Sequence, residues 1–318
     1  MTGGMTVLSS RFPFPLSADI FQYSNNLRPL DTNVSIQVTR EYTEEMGLKR
    51  SLLKQHPERC FREEIHTRDA QWEVLNYVLH QLSQFYPEHF RLRQEGDNWI
   101  FENTLLGEEV HFRDLDNDSL SCAPLDFAGR QVQEDLILLT QYDDKLVLEA
   151  GQLCFPGNWS LYFDFGMPFM DIHTPVPGLI EDGLAAKIER FLMRIESGKP
   201  WTRLNWSLNA GRRLDTSAET FDEWGPYRYR VTEDNVGHLV HLRVEEQNLM
   251  RMQRSNSLLF TIHTYLMPLH EITQNQTWTN RLYRVLCTLS PKLVEYKGLG
   301  AYRDVVVEYL AKELRVNT

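Results

Sequence analysis

Apolar and polar residues change period several times along this chain. From Ala70 to Phe85, the residues Trp72, Leu75, Val78, Leu79, Leu82 and Phe85 recur at steps of three and four. That spacing gives a helix one apolar stripe, and Pro87 stops it. Glu41 to Lys54 also has helical spacing, with a charged outer face. Asp182 to Ser197 places Leu184, Ile188, Phe191, Leu192 and Ile195 on one side of a further helix, which Gly198 and Pro200 end. Residues 90–112 alternate and carry turn signals (EGDN, LLGEE), as a β-hairpin does. Gln131 to Tyr142 leads into an apolar stretch, Lys145 to Phe155, that reads as partly strand. The next segment, FPGNWSLYFDFGMPFMDIHTPVPG, holds enough helix breakers to be a loop, and loops of that length commonly carry function.

Three later segments have a period of two, which sorts their side chains onto opposite faces. In WTRLNWSLN, Leu204, Trp206 and Leu208 oppose Arg203, Asn205 and Ser207. In HLVHLRVEEQ, Val240, Leu242 and Val244 oppose His241, Arg243 and Glu245. In LLFTIHTYL, Leu258, Phe260 and Ile262 oppose Thr261, His263 and Tyr265. From Trp278 to Leu314 the pattern returns to helix, broken near Pro291 and Gly298. At the other end, RFPFPLSADIFQYSNNLRPLD sets aromatics between prolines and reads as an extended arm. The sum is an α+β fold, an antiparallel sheet flanked by helices. No linker marks a boundary, so residues 1–318 are expected to form one domain.

Composition narrows the function. Hydrophobic residues make up 42% and charged residues 24%, as in soluble globular proteins. The net charge of −11 counts against a dedicated nucleic-acid binder, which needs clustered Lys and Arg for phosphates. No apolar run is long enough to span a membrane, and MTGGMTVLSS lacks the form of a signal peptide. Cys60, Cys122, Cys154 and Cys287 are too scattered for a disulfide scaffold or a zinc ribbon, which points to a reducing cytoplasm.

The polar stripes allow two readings. They are the wet face of an antiparallel sheet, or Arg203, His241, Arg243, Glu245, His263 and Tyr265 converge on a polar pocket. A second candidate is His173 in IHTPVPG, where two prolines restrict the backbone around an imidazole. A histidine in a loop serves as a hydrogen-bonding residue or as a metal ligand. No second ligand stands at zinc spacing around it. A metal at His173 must therefore bring most of its own ligands, as heme does with one axial imidazole. Trp159, Tyr162, Phe163, Phe165 and Phe169 offer walls for such a group, and also suit an ordinary core. GxGxxG, P-loop, GxSxG and HExxH motifs are absent, so redox chemistry here would need electrons from elsewhere.

The order of several short motifs resembles the heme-dependent oxidative N-demethylase alpha-subunit family. The pieces are FPFP (12–15), LRPL (27–30), EYTEEMGLKRSLL, VQEDLILL (132–139), CFPGNW (154–159), IHTPVPG (172–178), RLNWSL (203–208), LRVEEQNLMRM (242–252) and LLFTIHTYLMPL (258–269). The resemblance implies a PAS-like α+β fold that binds heme b and activates O2. It implies oxidation of a methyl group on a small secondary amine, giving the demethylated amine and formaldehyde. Electrons would come from NADPH through a separate flavin and iron–sulfur reductase. The histidine of the family's motif falls on His173, the expected axial ligand. Arg203, and Arg243 with Glu245, fall on the polar stripes, where Glu245 suits an ammonium or a proton relay and an arginine suits dioxygen or a propionate.

The chain also departs from that pattern. Glu246 stands where the family has Arg, His263 where it has Arg in IRTY, and Gly157 and Asp164 where it tends to have Ser and Lys. If those positions rim the pocket, lost cations change its charge selectivity, and oxidation of another nitrogen-containing metabolite becomes the alternative. A heme sensor without turnover and a heme-free cation binder are the other readings. The sensor lacks any output module in this sequence, and a Soret band separates the binder from the rest.

Overall fold

The structure is a computed structural model that describes residues 8, 11–21 and 26–316. Residues 22–25 of the expected arm lie outside the described residues. The frame is a seven-stranded antiparallel sheet. Its strands are β1 (Arg28–Pro29), β2 (Phe61–Glu63), β6 (Asp135–Gln141), β7 (Leu146–Gln152), β8 (Trp201–Ala210), β9 (Val240–Arg251) and β10 (Leu258–Pro268), in the order β1-β8-β9-β10-β6-β7-β2. The segment read as a hairpin has a third strand and is a meander of β3 (Phe90–Glu95), β4 (Asn98–Asn103) and β5 (Glu108–Arg113). Two turn signals in 90–112 already bound three runs, and each run pairs with the next.

The predicted helices form at Tyr42–Gln55, Arg68–Phe85 and Leu184–Leu192. The last is shorter than its apolar stripe, because Gly183 takes a left-handed conformation (φ +65°) ahead of Leu184. The long segment after Phe155 folds mostly as loop, with single helical turns at Leu161–Asp164 and Phe169–Ile172. Helices Gln276–Thr288, Pro291–Tyr296 and Arg303–Val316 close the chain.

Burial decides between the two readings of the stripes. Every residue of β9 is buried, polar ones included, so neither face of the sheet centre is wet. One face carries Leu204, Trp206, Leu208, Leu242 and Val244 against the C-terminal helices. Farther along that face, Met250, Leu259, Leu136 and Leu138 meet the apolar stripe of helix Arg68–Phe85. On the other face, Leu249, Leu258, Ile137 and Leu139 pack against Phe169, Leu179, Ile188 and Leu192. Each Leu or Ile so covered is worth about 1.5–3 kcal/mol against exposure. The 155–197 segment is therefore held on the sheet by its own apolar side chains. That places His173 over the sheet.

Candidate functional site

Register determines which stripes share a face. Asn205 pairs with Glu245, Arg203 with Gln247, Ser207 with Arg243 and Asn209 with His241. Arg203, Asn205, Arg243, Glu245 and Gln247 thus project to the face that the 155–197 segment covers. His263 pairs with Glu246 and Tyr265 with Val244, so both lie on the opposite face. The expectation that all six stripe residues converge is corrected here. A period of two sorts residues within one strand, but only the pairing register says which face of the next strand matches.

His173 follows the helical turn Phe169–Ile172. Its Nδ1 lies 2.8 Å from the Phe169 carbonyl, and its ring packs on the Phe169 ring at 4.0 Å between centroids. A carbonyl only accepts, so Nδ1 carries the proton and Nε2 keeps its lone pair. Burial holds the imidazole below the ordinary histidine range. The bond to Phe169 opposes that shift, and the nearby Arg203 guanidinium adds to it. The result is a neutral imidazole, oriented by the backbone, with an unprotonated Nε2. Trp159, Phe165, Met170, Ile172 and Val176 lie partly buried around the same apolar cluster.

Arg203 is the unusual member. Among the described residues it has no hydrogen-bond or ion-pair partner, and its Nε is fully buried without an acceptor. Burial lowers its pKa, against the pull of Glu245 and Tyr296. Glu245 is occupied elsewhere. Its Oε1 accepts from Arg243 Nε at 3.1 Å, and its Oε2 accepts from Asn205 at 3.2 Å and Gln247 at 3.0 Å.

Arg243 is fully buried and serves the fold. Besides Glu245, its guanidinium donates to the Leu214 carbonyl at 2.8 Å, to Thr264 Oγ1 at 3.2 Å and to the Phe155 carbonyl. It therefore joins the 155 loop, the 214 loop and β10 beneath the carboxylate. Further back, Asp135 accepts from the amides of Cys154 and Phe155, each at 2.8 Å, and sits 3.7 Å from Lys49 with both side chains fully buried. Gly157 completes the contact. A Cβ there would stand 2.6 Å from Glu245 Oε1, so only glycine lets the loop lie this close. Asn158 follows at φ +62°, its amide donating to the Thr216 carbonyl at 2.8 Å.

His241 shares the face of Glu245 but stands four residues along β9, about 13 Å away at the usual strand rise. It lines a separate cavity of about 1050 Å³ with His263, Tyr265, Glu45 and Trp224. On the opposite face, His263 Nδ1 is 3.0 Å from Glu134 Oε1, and the Tyr265 hydroxyl donates to Glu246 Oε2 at 3.3 Å. Two of the departures, His263 and Glu246, are thus cross-strand partners away from His173, and the idea that they rim the same pocket is corrected. Asp164 sits beside Glu219, its carboxyl pushed up to about 6 mainly by burial.

His263 gives a pH prediction. Burial alone would lower its pKa, but Glu134, Glu45 and Glu246 together raise it. A histidine whose folded pKa exceeds the unfolded value of about 6.5 contributes stability that is complete below that value and lost as pH rises through the folded pKa. The melting temperature should therefore fall as pH rises above about 6.5, and His263→Gln should flatten that slope. Equal slopes in the two proteins would refute the assignment.

Sequence reasoning missed Lys297. It is half-buried, its Nζ donates to the Trp206 carbonyl at 2.8 Å, and it lies over the Trp206 ring at 4.5 Å. Burial pushes its pKa down to about 8, with Glu245 pulling it up and Arg203 pushing it further down. Nothing in the helical pattern of the C-terminal region marks this lysine.

The arrangement defines an α+β protein in which a neutral, oriented imidazole lies near a buried, unpartnered cation on a sheet face. The family model described as "haem-dependent oxidative N-demethylase, alpha subunit-like" matches residues 26–307. The chain belongs to that family. Its description names heme dependence and oxidative N-demethylation, an oxidoreductase chemistry. No helix among the described residues is long and apolar enough to cross a membrane.

Proposed function

We propose that the chain binds heme b through His173 and oxidises a small N-methylated amine with O2. The observation that carries this reading is the His173 tautomer: Nδ1 is engaged by a carbonyl, which leaves Nε2 with the lone pair an iron requires. The donor set fits the group. Among the described residues no cluster of three or more His, Cys, Asp or Glu can hold a metal ion, so an iron at His173 has to bring its remaining ligands with it, as a porphyrin iron does. The orphaned Nε of Arg203 is a second point of fit, because a buried donor without an acceptor is costly until an acceptor arrives.

When bound, heme supplies the oxidising chemistry. The N-methyl carbon is oxidised with O2, an electron pair and two protons, and the C–N bond then breaks to give the demethylated amine, formaldehyde and water. The electron pair comes from a separate NADPH-linked flavin and iron–sulfur reductase. The chain's own part would be to hold the iron through His173, to set the charge of Arg203 near the bound group and to exclude water with the apolar 155–197 segment. Glu245, fixed by Arg243, Asn205 and Gln247, holds or moves a proton near Arg203. The strand order β7-β6-β10-β9-β8, second-first-fifth-fourth-third among five consecutive strands, supports a PAS-like reading of the sheet. A cytoplasmic setting agrees with the free thiols of Cys60, Cys122, Cys154 and Cys287.

The test is to load the protein with heme, reduce it and admit O2 with candidate methylamines while measuring formaldehyde. Release of formaldehyde supports the proposal, and a stable oxygenated species without turnover counts against it. Glu245→Gln should keep the heme spectrum and lower turnover by about 10²-fold, the lower range for a lost acid–base group. Unchanged turnover would remove Glu245 from the chemistry.

A further inference from the structure

The cavity of about 1050 Å³ lies along the edge of β10. β6 pairs with β10 only from Leu258 to Ile262, so Thr264 to Pro268 border the cavity instead of that strand. Side chains of both sheet faces therefore line it, and none of its lining residues belongs to the apolar cluster around His173. The exposed charges of its wall are matched: Arg213 meets Glu223 at 2.7 Å, Arg40 meets Glu41 at 3.1 Å and Arg212 meets Glu44 at 4.0 Å. Its buried end is not matched. There half-buried Glu45 accepts one hydrogen bond, from Gln133, and has no cation at ion-pair distance among the described residues. Gln133 adjoins Glu134, whose Oε1 lies 3.0 Å from His263 Nδ1 and whose Oε2 is buried without a donor. Glu246 faces His263 across the pairing of β9 and β10 and accepts from Tyr265. Three carboxylates thus gather about one imidazole, and even a charged His263 leaves two of them uncompensated. His263 is 2% exposed and lines the cavity, and with Nδ1 on Glu134 no described residue bonds its Nε2. Aromatic rings stand beside this group, Tyr265 on His263 at 4.5 Å and Phe12 edge-on to Tyr265 at 6.4 Å.

We propose that this cavity is a second binding site, for an organic monocation (an ammonium or guanidinium ion with apolar substituents), with Glu45 as its counter-ion. The proposal does not depend on heme. A carboxylate drawn partly out of water without a cation is unfavourable, and a bound cation offsets that cost. The rings of Tyr265 and Phe12 attract the same charge through their faces, and Leu48, Leu52 and Leu214 offer apolar wall to its substituents. A charged His263 has one N–H left, at Nε2, for a hydroxyl or carbonyl on the guest. A bare metal ion fits less well, because no three His, Cys, Asp or Glu among the described residues are placed to hold one. An anion would meet the uncompensated carboxylates at the buried end, while the three arginines named at the wall already have theirs.

Choline and the neutral alcohol in which a carbon replaces its nitrogen share one shape and differ in one charge. Each is titrated into the full-length protein in a calorimeter. The wild type should bind choline at least about tenfold more tightly than the alcohol, the lower end for a close charge pair. Glu45→Gln should remove that preference, whereas Glu245→Gln, on the His173 face, should keep it. Equal wild-type affinity for the two probes overturns the proposal, and this comparison needs no variant. Loss of the preference in Glu245→Gln but not in Glu45→Gln puts the cation on the other side of the sheet and overturns it as well. So does the absence of binding by choline and methylguanidinium alike at about 10 mM, weaker than any specific site of this kind should be. Hemin binding, read separately from the Soret band, is untouched by each of these outcomes.

Discussion

His173→Ala is expected to bind hemin more than about 100-fold more weakly and to lose the spectrum of a histidine-ligated heme, while the protein stays folded. A second-sphere partner of a metal ligand already accounts for 10- to 100-fold in affinity, about the floor for losing the ligand itself. The fold should tolerate the change. His173 is half-buried and makes one hydrogen bond, to a carbonyl in its own turn, worth about 1 kcal/mol. Imidazole in the buffer should restore part of the ligation, because the side chain leaves a hole of its own shape beside Phe169. The pH dependence has a definite sign. Burial holds the folded pKa below the ordinary value of about 6.5, so protonation competes with iron only on the acid side of that value. Heme should be retained as pH falls through about 6.5 and released below it. Unchanged ferric and ferrous spectra in the alanine variant would move the ligand to another histidine. Of the two other expected histidines, His263 is paired with Glu134 on the opposite face, and His241 lines a different cavity.

How much of this was legible in the sequence follows from the range of each signal. Periods of two and of three to four report local geometry, so the helix at Arg68–Phe85 and strands β8, β9 and β10 were readable from Trp72, Leu204 and Val244 and their repeats. The hydrophobic pattern also said that one face of each strand is covered. It could not say that the polar face is covered as well, because polar residues at period two look the same under solvent and under a packed loop. Register was invisible too, and it is register that sends His263 and Tyr265 away from Glu245. His173 could be singled out because its signal is local, a histidine between a restricted backbone and prolines. The tautomer depends on a carbonyl four residues earlier, brought within reach by a single helical turn that the helix breakers of this segment conceal. Lys297 and Arg203 were not equally visible. A half-buried lysine at the end of helix Pro291–Tyr296 has the same sequence context as an exposed one, whereas Arg203 stands on the polar side of an alternating strand.

Arg243 is the residue whose role changes most between sequence and structure, and its replacement carries the largest expected cost in stability. The sequence places it beside Glu245 as a candidate for dioxygen or a propionate. In the structure it has no exposed surface, and its guanidinium bonds a carboxylate, two carbonyls of separate loops and a threonine hydroxyl. Arg243→Met removes all four bonds at similar volume. It leaves the Leu214 and Phe155 carbonyls and one Glu245 oxygen short of a donor inside the core, and breaking a buried pair in this way costs about 3–5 kcal/mol. Arg243→Lys should recover little, because one ammonium cannot match a planar fork aimed at acceptors from three directions. Urea denaturation of the heme-free protein measures the cost without reference to activity, and a loss below about 0.5 kcal/mol would contradict the brace. A second readout tells the brace from a ligand contact. Removing a ligand contact weakens hemin binding and leaves heme-free stability alone, whereas removing the brace lowers heme-free stability first and reaches the heme only by releasing Glu245 and the Gly157 loop that lies on it.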